Sequence, residues 1–212
     1  MSARGASPSQ GNSPTAGAFL WITVAVWLLG TAGAFWFFEL RDWRPFTVQS
    51  VRLFEINGAQ QTQLWFRAHI GVDVQASGNA KLTFVHLYNP DCRCDAYTEQ
   101  HLQRLISRYQ SRGVRFVAAL TPLFANRPTP VHPLGLRLVA STDGYLAAAG
   151  MNTAPAALIF DASGRLIYYG PFNDSAWCGS NGGLVEPVLD RALAGRAPIG
   201  NVPVVRGCFC AW

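Results

Sequence analysis

Two thiols, Cys92 and Cys94, stand in the stretch Asn89-Pro90-Asp91-Cys92-Arg93-Cys94-Asp95. The apolar run Leu82 to Tyr88 precedes them, and Leu102, Leu105, Ile106 and Tyr109 follow at the spacing of one helical face. The pattern places both thiols at a strand-to-helix junction, with Asp91 suited to the N-cap and the cysteines in the first turn. Unpaired backbone N–H groups and the positive end of the helix dipole favour a thiolate there. Arg93 adds positive charge, whereas Asp91 and Asp95 oppose it. A thiolate is both a nucleophile and a soft metal ligand, so the chemistry open to this pair is thiol-disulfide exchange or metal binding. The plain alternative is a pair of buried structural thiols, because free cysteine packs as a small hydrophobe.

A second C-x-C closes the chain in Gly207-Cys208-Phe209-Cys210-Ala211-Trp212. Terminal residues usually fray, but Phe209 and Trp212 give this tail apolar anchors, and we expect it to fold back near Cys92 as a source of resolving thiols. Cys178, after Trp177 in a loop rich in Asn, Ser and Gly, is expected to be structural or a partner for the tail. The five cysteines suit an oxidising compartment without requiring one. If the two pairs converge, Cys92, Cys94, Cys208 and Cys210 offer four thiolates to Cu(I) or Zn(II). The histidines His69, His86, His101 and His132 are scattered and read separately as surface or satisfied core residues. No phosphate loop, serine triad or convincing carboxylate pair is present, and no cofactor is expected.

These residues need a scaffold, and a chain of 212 residues holds one ordinary domain with appendages. Residues 1–15 read as a Ser/Gly/Pro-rich disordered tail. Residues 16–38 carry no charge and are long enough to span a bilayer. Their aromatic end, Phe35-Trp36-Phe37-Phe38, resembles an interfacial belt more than a signal-peptide cleavage site, so a retained single-pass anchor is expected. Arg41 and Arg44 beyond the span lean towards a cytosolic domain by the positive-inside rule. The net charge of +5 comes almost wholly from scattered arginines, with Lys81 the single lysine. That distribution gives no basic stripe and no support for nucleic-acid binding.

Residues 39–79 form a connector in which Val48 to Phe54 reads as a strand and Gln60 to Ile70 as a helix ending at Gly71. Residues 80–198 read as the main domain. Its strand Leu82 to Tyr88, cysteine-bearing helix and strand Val114 to Leu120 make a right-handed parallel unit. Prolines 122, 128, 130 and 133 force an excursion. A short helix over Gly144 to Ala149, capped by Asp143, comes next. Ala156 to Phe160 and Leu166 to Tyr169 then form a hairpin around Asp161-Ala162-Ser163-Gly164, and a helix from about Gly183 to Ala194 closes the domain. Residues 199–212 are the cysteine-containing tail.

This order of elements resembles the thioredoxin-like fold, an α/β architecture with a central mixed sheet flanked by helices. It is most similar to bacterial membrane-anchored thioredoxin-like proteins. The matching residues are Leu82 to Tyr88, Cys92-Arg93-Cys94, and Asn152-Thr153-Ala154-Pro155-Ala156-Ala157-Leu158-Ile159-Phe160-Asp161 with Gly164. The resemblance implies a cis-proline at Pro155, facing the redox cysteines. It implies a thiol-disulfide oxidoreductase in the inner membrane, with a periplasmic C-terminal domain and protein thiols or disulfides as substrates. Cys92 would be the nucleophile, Cys94 or a tail cysteine the resolving thiol, and Pro155 the shaper of the substrate edge. The chain departs from the family's Trp-Cys-x-x-Cys, and a Cys92–Cys94 disulfide would close a small strained ring. Metal handling and a redox-inert envelope scaffold with permanent cross-links are the alternatives.

Overall fold

The computed structural model describes residues 14–40, 43–46, 56–71, 80–124, 126–141, 144–173, 183–196 and 205–212. Val48 to Phe54, Asp143 and Cys178 lie outside them. Contacts divide the chain into two units, Met1–Arg41 and Asp42–Trp212.

The first unit is α1 (Pro14–Phe35), extended by a π-helical turn, Trp36–Leu40. Its stretch Gly17–Phe38 is 22 residues of strongly apolar sequence. At 1.5 Å per residue that is about 33 Å, enough to cross a bilayer core. Phe19, Trp21, Trp27 and Leu29 are all more than 65% exposed. A helix that is apolar all round offers water no polar face.

The second unit is built on a five-stranded sheet in the order β4-β3-β2-β6-β7. The strands are β2 (Leu82–Tyr88), β3 (Val114–Leu120), β4 (Leu138–Ala140), β6 (Ala156–Asp161) and β7 (Leu166–Gly170). β2, β3 and β4 run parallel, and β6 is antiparallel to both β2 and β7. With α3 (Arg93–Tyr109) crossing from β2 to β3 and α5 (Val185–Leu193) after the hairpin, this is a thioredoxin-like sheet. The central strand β2 is buried along its whole length, as its nearly unbroken apolar sequence requires of a strand covered on both faces.

Alternation along β2 divides the core. Leu82 and Phe84 pack with Leu102, Leu105 and Tyr109 of α3 and Val188 and Leu189 of α5. Val85 and Leu87 face the opposite way, into a cluster with Phe46, Trp65, Phe66, Phe209 and Trp212. That second layer is supplied by α2 (Ile56–Phe66), from the segment read as a connector, and by the C-terminal tail. On the first face, His101 Nε2 meets Glu186 Oε1 at 2.7 Å and Tyr109 donates to Asp190 at 3.1 Å, fastening α3 to α5.

The hairpin turn follows from its sequence. Asp161 Oδ1 accepts the N–H groups of Ser163 (2.9 Å) and Arg165 (3.0 Å). Gly164 sits at φ +78°, where a Cβ would come 2.6 Å from Phe66 Cδ1, so only glycine fits both the backbone and the packing. The proline-rich excursion forms a short 3-10 turn, Pro122–Phe124, before β4. α4 is a single turn, Tyr145–Ala148, opened by Gly144 at φ +72°. The Ala154–Pro155 bond is cis, the isomer that the thioredoxin-like resemblance implies.

Candidate active site

The chain leaves β2 at Asn89, and the local sequence turns it into α3. Asn89 Oδ1 accepts the N–H of Asp91 at 3.0 Å, and the N–H of Cys92 donates to the Asn89 carbonyl at 2.8 Å. This Asx-type turn is the usual device of asparagine at such corners. Cys92 is the N-cap, with φ −92° and ψ 110° and no side-chain capping bond, so the helix starts at Arg93 and only Cys94 lies in its first turn. The expected cap, Asp91, is instead turned outward, its carboxylate 2.8 Å from Arg127. Asn89 already satisfies the corner, and Arg127 offers Asp91 a charged partner in solvent.

The tail returns to this corner as two short extended pieces. β8 (Arg206–Cys208) pairs antiparallel with β1 (Trp43–Pro45), and β9 (Cys210–Ala211) pairs antiparallel with β5 (Thr153–Ala154), directly before Pro155. Asn89 Nδ2 donates to the Ala211 carbonyl at 2.9 Å, and the N–H of Trp212 donates to the Asn152 carbonyl at 3.0 Å. In an extended chain alternate residues face opposite ways. Cys208 and Cys210 therefore share one side, while Phe209 points into the core against Phe46 at 5.2 Å between ring centroids.

The two C-x-C pairs meet crosswise, with disulfides Cys92–Cys210 and Cys94–Cys208 at Cα separations of 5.9 and 5.5 Å. A Cys92–Cys94 ring is not formed. Cys92 in extended backbone and Cys94 in the helix each face a tail cysteine, and the docked strand supplies a partner for both. Cys92 and Cys94 are buried, whereas Cys208 and Cys210 are partly exposed. Cys210 Sγ also lies 3.7 Å from Cys94 Sγ, and the Sγ atoms of Cys92, Cys94 and Cys210 fall within 4.8 Å of one another. Cys92 Sγ is 3.9 Å from the carbonyl oxygen of Ala154. The structure thus brings Cys92, Cys94, Cys208, Cys210 and the cis-Pro155 segment to one place.

Behind the cysteines runs a buried polar chain. Asp95 Oδ2 accepts the N–H of Asn89 at 3.2 Å, and Asp95 Oδ1 is 2.8 Å from His86 Nε2. His86 Nδ1 is 3.3 Å from His132 Nε2, and His132 Nδ1 accepts the N–H of Leu134 at 3.1 Å. One set of protons satisfies this chain. With Nδ1 of His132 accepting, its Nε2 carries the proton towards His86 Nδ1, leaving His86 Nε2–H aimed at the carboxylate. Burial pushes the Asp95 pKa up, against the hydrogen bonding and charge of His86 and the backbone bond from Asn89. Burial first, and His86 second, push His132 down to about 4.

Residues 61–212 match the family model described as a domain of unknown function, DUF6436. The chain belongs to the DUF6436 family. No curated protein matches it. Among solved structures, a hypothetical protein from Sinorhizobium meliloti is 16% identical, with a TM-score of 0.52 over 66% of this chain and 81% of that one. An uncharacterized conserved protein from Geobacillus kaustophilus is 20% identical, with a TM-score of 0.49 over 63% and 76%. A thioredoxin-like protein solved in its oxidised form is 17% identical, with a TM-score of 0.41 over 55% and 80%. At these identities the likeness is one of fold.

The DUF6436 match begins inside α2 and runs to the last residue, so both C-x-C pairs and the docked tail fall within it. Four of the domain's residues escaped the sequence reading. Asn89, the clamp between strand, helix and tail, stood in the sequence only as the residue before Pro90. His86 and His132 are 46 positions apart, and an irregular proline-rich stretch brings them together. Asp95 read only as a charge opposing a thiolate, and it is 2% exposed. Its place one residue after a buried Cys94, on the inner face of α3, was the available signal.

Proposed function

We propose that this chain is a membrane-anchored thiol-disulfide oxidoreductase of the bacterial inner membrane, with Asp42–Trp212 in the periplasm and protein thiols or disulfides as substrates. The observation that carries this reading is the tail strand laid beside Ala154 with Cys210 bonded to Cys92. It is a resident mixed-disulfide partner held at the edge next to the cis-proline. Cys92 is the nucleophile, Cys210 its resolving thiol, and Pro155 shapes the edge along which an extended substrate lies. In exchange, the Cys92 thiolate attacks a substrate disulfide, a mixed disulfide forms, and one substrate thiolate leaves. The Cys210 thiolate then attacks Cys92 Sγ, closing Cys92–Cys210 and releasing the second substrate thiolate, and the reverse sequence oxidises a substrate dithiol. The apolar α1 supports anchoring, and the two disulfides support an oxidising compartment.

The test is alkylation with mass mapping of the full chain in micelles, equilibrated across thiol-disulfide buffers. Reversible opening of Cys92–Cys210 at a potential between cytosolic and periplasmic poise supports the reading. A bridge that never opens in the folded protein defeats it. A fusion reporter that is active only in the cytosol, attached at the C-terminus, would reverse the placement.

A second reading is favoured by one observation, the three Sγ atoms of Cys92, Cys94 and Cys210 within 4.8 Å. Once reduced, this set matches the preference of Cu(I) for soft thiolates, and Cys208 would complete a four-sulfur set for Zn(II). Anaerobic reconstitution of the reduced chain with Cu(I) or Zn(II) tests it. Protein that leaves a desalting column without metal removes the reading.

A further inference from the structure

The sulfur arrangement contains a contact that neither disulfide uses. Cys210 Sγ, bonded to Cys92, lies 3.7 Å from Cys94 Sγ, which is bonded to Cys208. We propose that Cys210 is a switching thiol that changes partner from Cys92 to Cys94, so that the reduced protein keeps a third bridge, Cys94–Cys210, and stores its electron pair on Cys92 and Cys208. This rests on the oxidoreductase reading and adds an internal relay to it.

The steps balance. A dithiol thiolate attacks Cys92 Sγ, forming a mixed disulfide with Cys92 and breaking Cys92–Cys210, and Cys210 leaves as thiolate. The second thiol of the dithiol, as thiolate, closes the dithiol's own disulfide and releases the Cys92 thiolate. The dithiol has then lost two electrons and the protein has gained them. The Cys210 thiolate next attacks Cys94 Sγ, forming Cys94–Cys210 and breaking Cys94–Cys208. Cys208 leaves as thiolate, and Cys92 and Cys208 take up the two protons lost by the dithiol. This last step moves the site of reduction without further oxidant or reductant, as thiolate attack on a disulfide does.

Three features make Cys210 the sulfur that moves. Its backbone is held independently of either bridge, by pairing with Ala154, by the Asn89-to-Ala211 bond and by the Trp212-to-Asn152 bond. The switch therefore asks for rotation of a side chain and not for release of the tail, and a nucleophile held close to its target reacts far faster than one in free solution. Cys94 is 0% exposed, and the Cys210 sulfur already lies 3.7 Å from it inside the site. Cys208 is partly exposed, and its thiolate departs towards water, where the charge is hydrated.

Two measurements on the full chain test the relay. The first adds one molar equivalent of dithiothreitol to the oxidised protein, quenches with acid and maps every bridge by mass. Cys94–Cys210 with Cys92 and Cys208 alkylated is the expected product; retention of Cys94–Cys208 with Cys92 and Cys210 alkylated overturns the relay and leaves the oxidoreductase reading standing. The second uses Cys208→Ser without reductant, where the free Cys94 thiol faces the Cys92–Cys210 bridge. Both Cys92–Cys210 and Cys94–Cys210 are expected, within about tenfold of each other; Cys92–Cys210 alone, with Cys94 fully alkylated, overturns the relay. Bridges that stay closed in the folded wild type defeat the oxidoreductase reading itself, and the variant separates that failure because it reports the switch with no reductant present.

Discussion

The chain carries the same motif, C-x-C, on two supports of opposite kind. Cys92 and Cys94 sit where a central strand enters a helix, buried and backed by the Asp95–His86–His132 chain. Cys208 and Cys210 sit on a tail with no hydrophobic core of its own, held by two short strand pairings and by Phe209 and Trp212 in the core. Spacing alone therefore does not fix the chemistry. The helix pair is positioned by polar groups that must all be satisfied, and the tail pair by apolar anchors and backbone bonds. One support should fail through unsatisfied buried donors, the other through a cavity.

The largest effect should come from breaking the helix-side support. Asp95→Ala leaves His86 Nε2 and the Asn89 N–H without their acceptor inside the protein. A buried donor left unsatisfied typically costs about 1–3 kcal/mol, and here two are left, so their losses add. Urea denaturation should show a loss of that size. A loss below about 1 kcal/mol would mean the polar chain does not support the corner.

Phe209→Ala attacks the other support and should cost about 3–4 kcal/mol, as phenylalanine truncations in packed cores do. The comparison is sharpened by reading the tail as well. With both bridges reduced, the wild-type tail should stay docked through β9, and the amide of Trp212 should remain protected from hydrogen exchange. In the reduced variant that protection should disappear, and alkylation of Cys92 should accelerate by on the order of tenfold.

The polar support also predicts a pH dependence that the tail lacks. His132 is 1% exposed and titrates near 4 in place of 6.5. Its lowered folded pKa means that the unfolded chain binds the proton first. The stability it contributes is fully present above about pH 6.5 and is lost as pH falls towards 4, by about 3 kcal/mol. Asp95, with a raised pKa, works in the opposite sense as pH falls, and His86 and Tyr88 face the same ring. Subtracting the His132→Gln profile from the wild-type one isolates the His132 share. Identical slopes between pH 7 and 4 would show that the ring is not held neutral.

The contrast explains what could be read from the chain. β2, α3, β3 and the hairpin carry their periodicity locally, and cis-Pro155 came with the motif around it. The crosswise disulfides depend on a tail more than 110 residues away, and pairing at that range is decided by tertiary docking. The same holds for His86 with His132. Phe209 and Trp212 did mark the tail as able to dock, because two aromatics beside a C-x-C have reason to be buried. What the sequence could not say was which face of which strand would receive them.

Between the two supports lies Asn89, which touches both. Asn89→Ala removes the acceptor for the Asp91 N–H and the donor to Ala211. The expected cost is about 1–2 kcal/mol at net values for ordinary hydrogen bonds, with faster hydrogen exchange at both the Cys92 and Trp212 amides. Acceleration at only one of them would show that the two supports are not joined through this side chain.

The smallest effect separates the corner's real cap from the one its sequence advertises. Loss of an N-cap aspartate costs about 0.5–2 kcal/mol. Asp91, however, makes an ion pair with Arg127 in which both side chains are more than half exposed, and such pairs contribute little and fade with salt. Asp91→Ala should therefore change stability by less than about 0.5 kcal/mol, and that small change should vanish in high salt. A salt-independent loss above 1 kcal/mol would put Asp91 back on the helix N-terminus, and the thiolate-stabilising geometry around Cys92 would then be that of a first-turn residue.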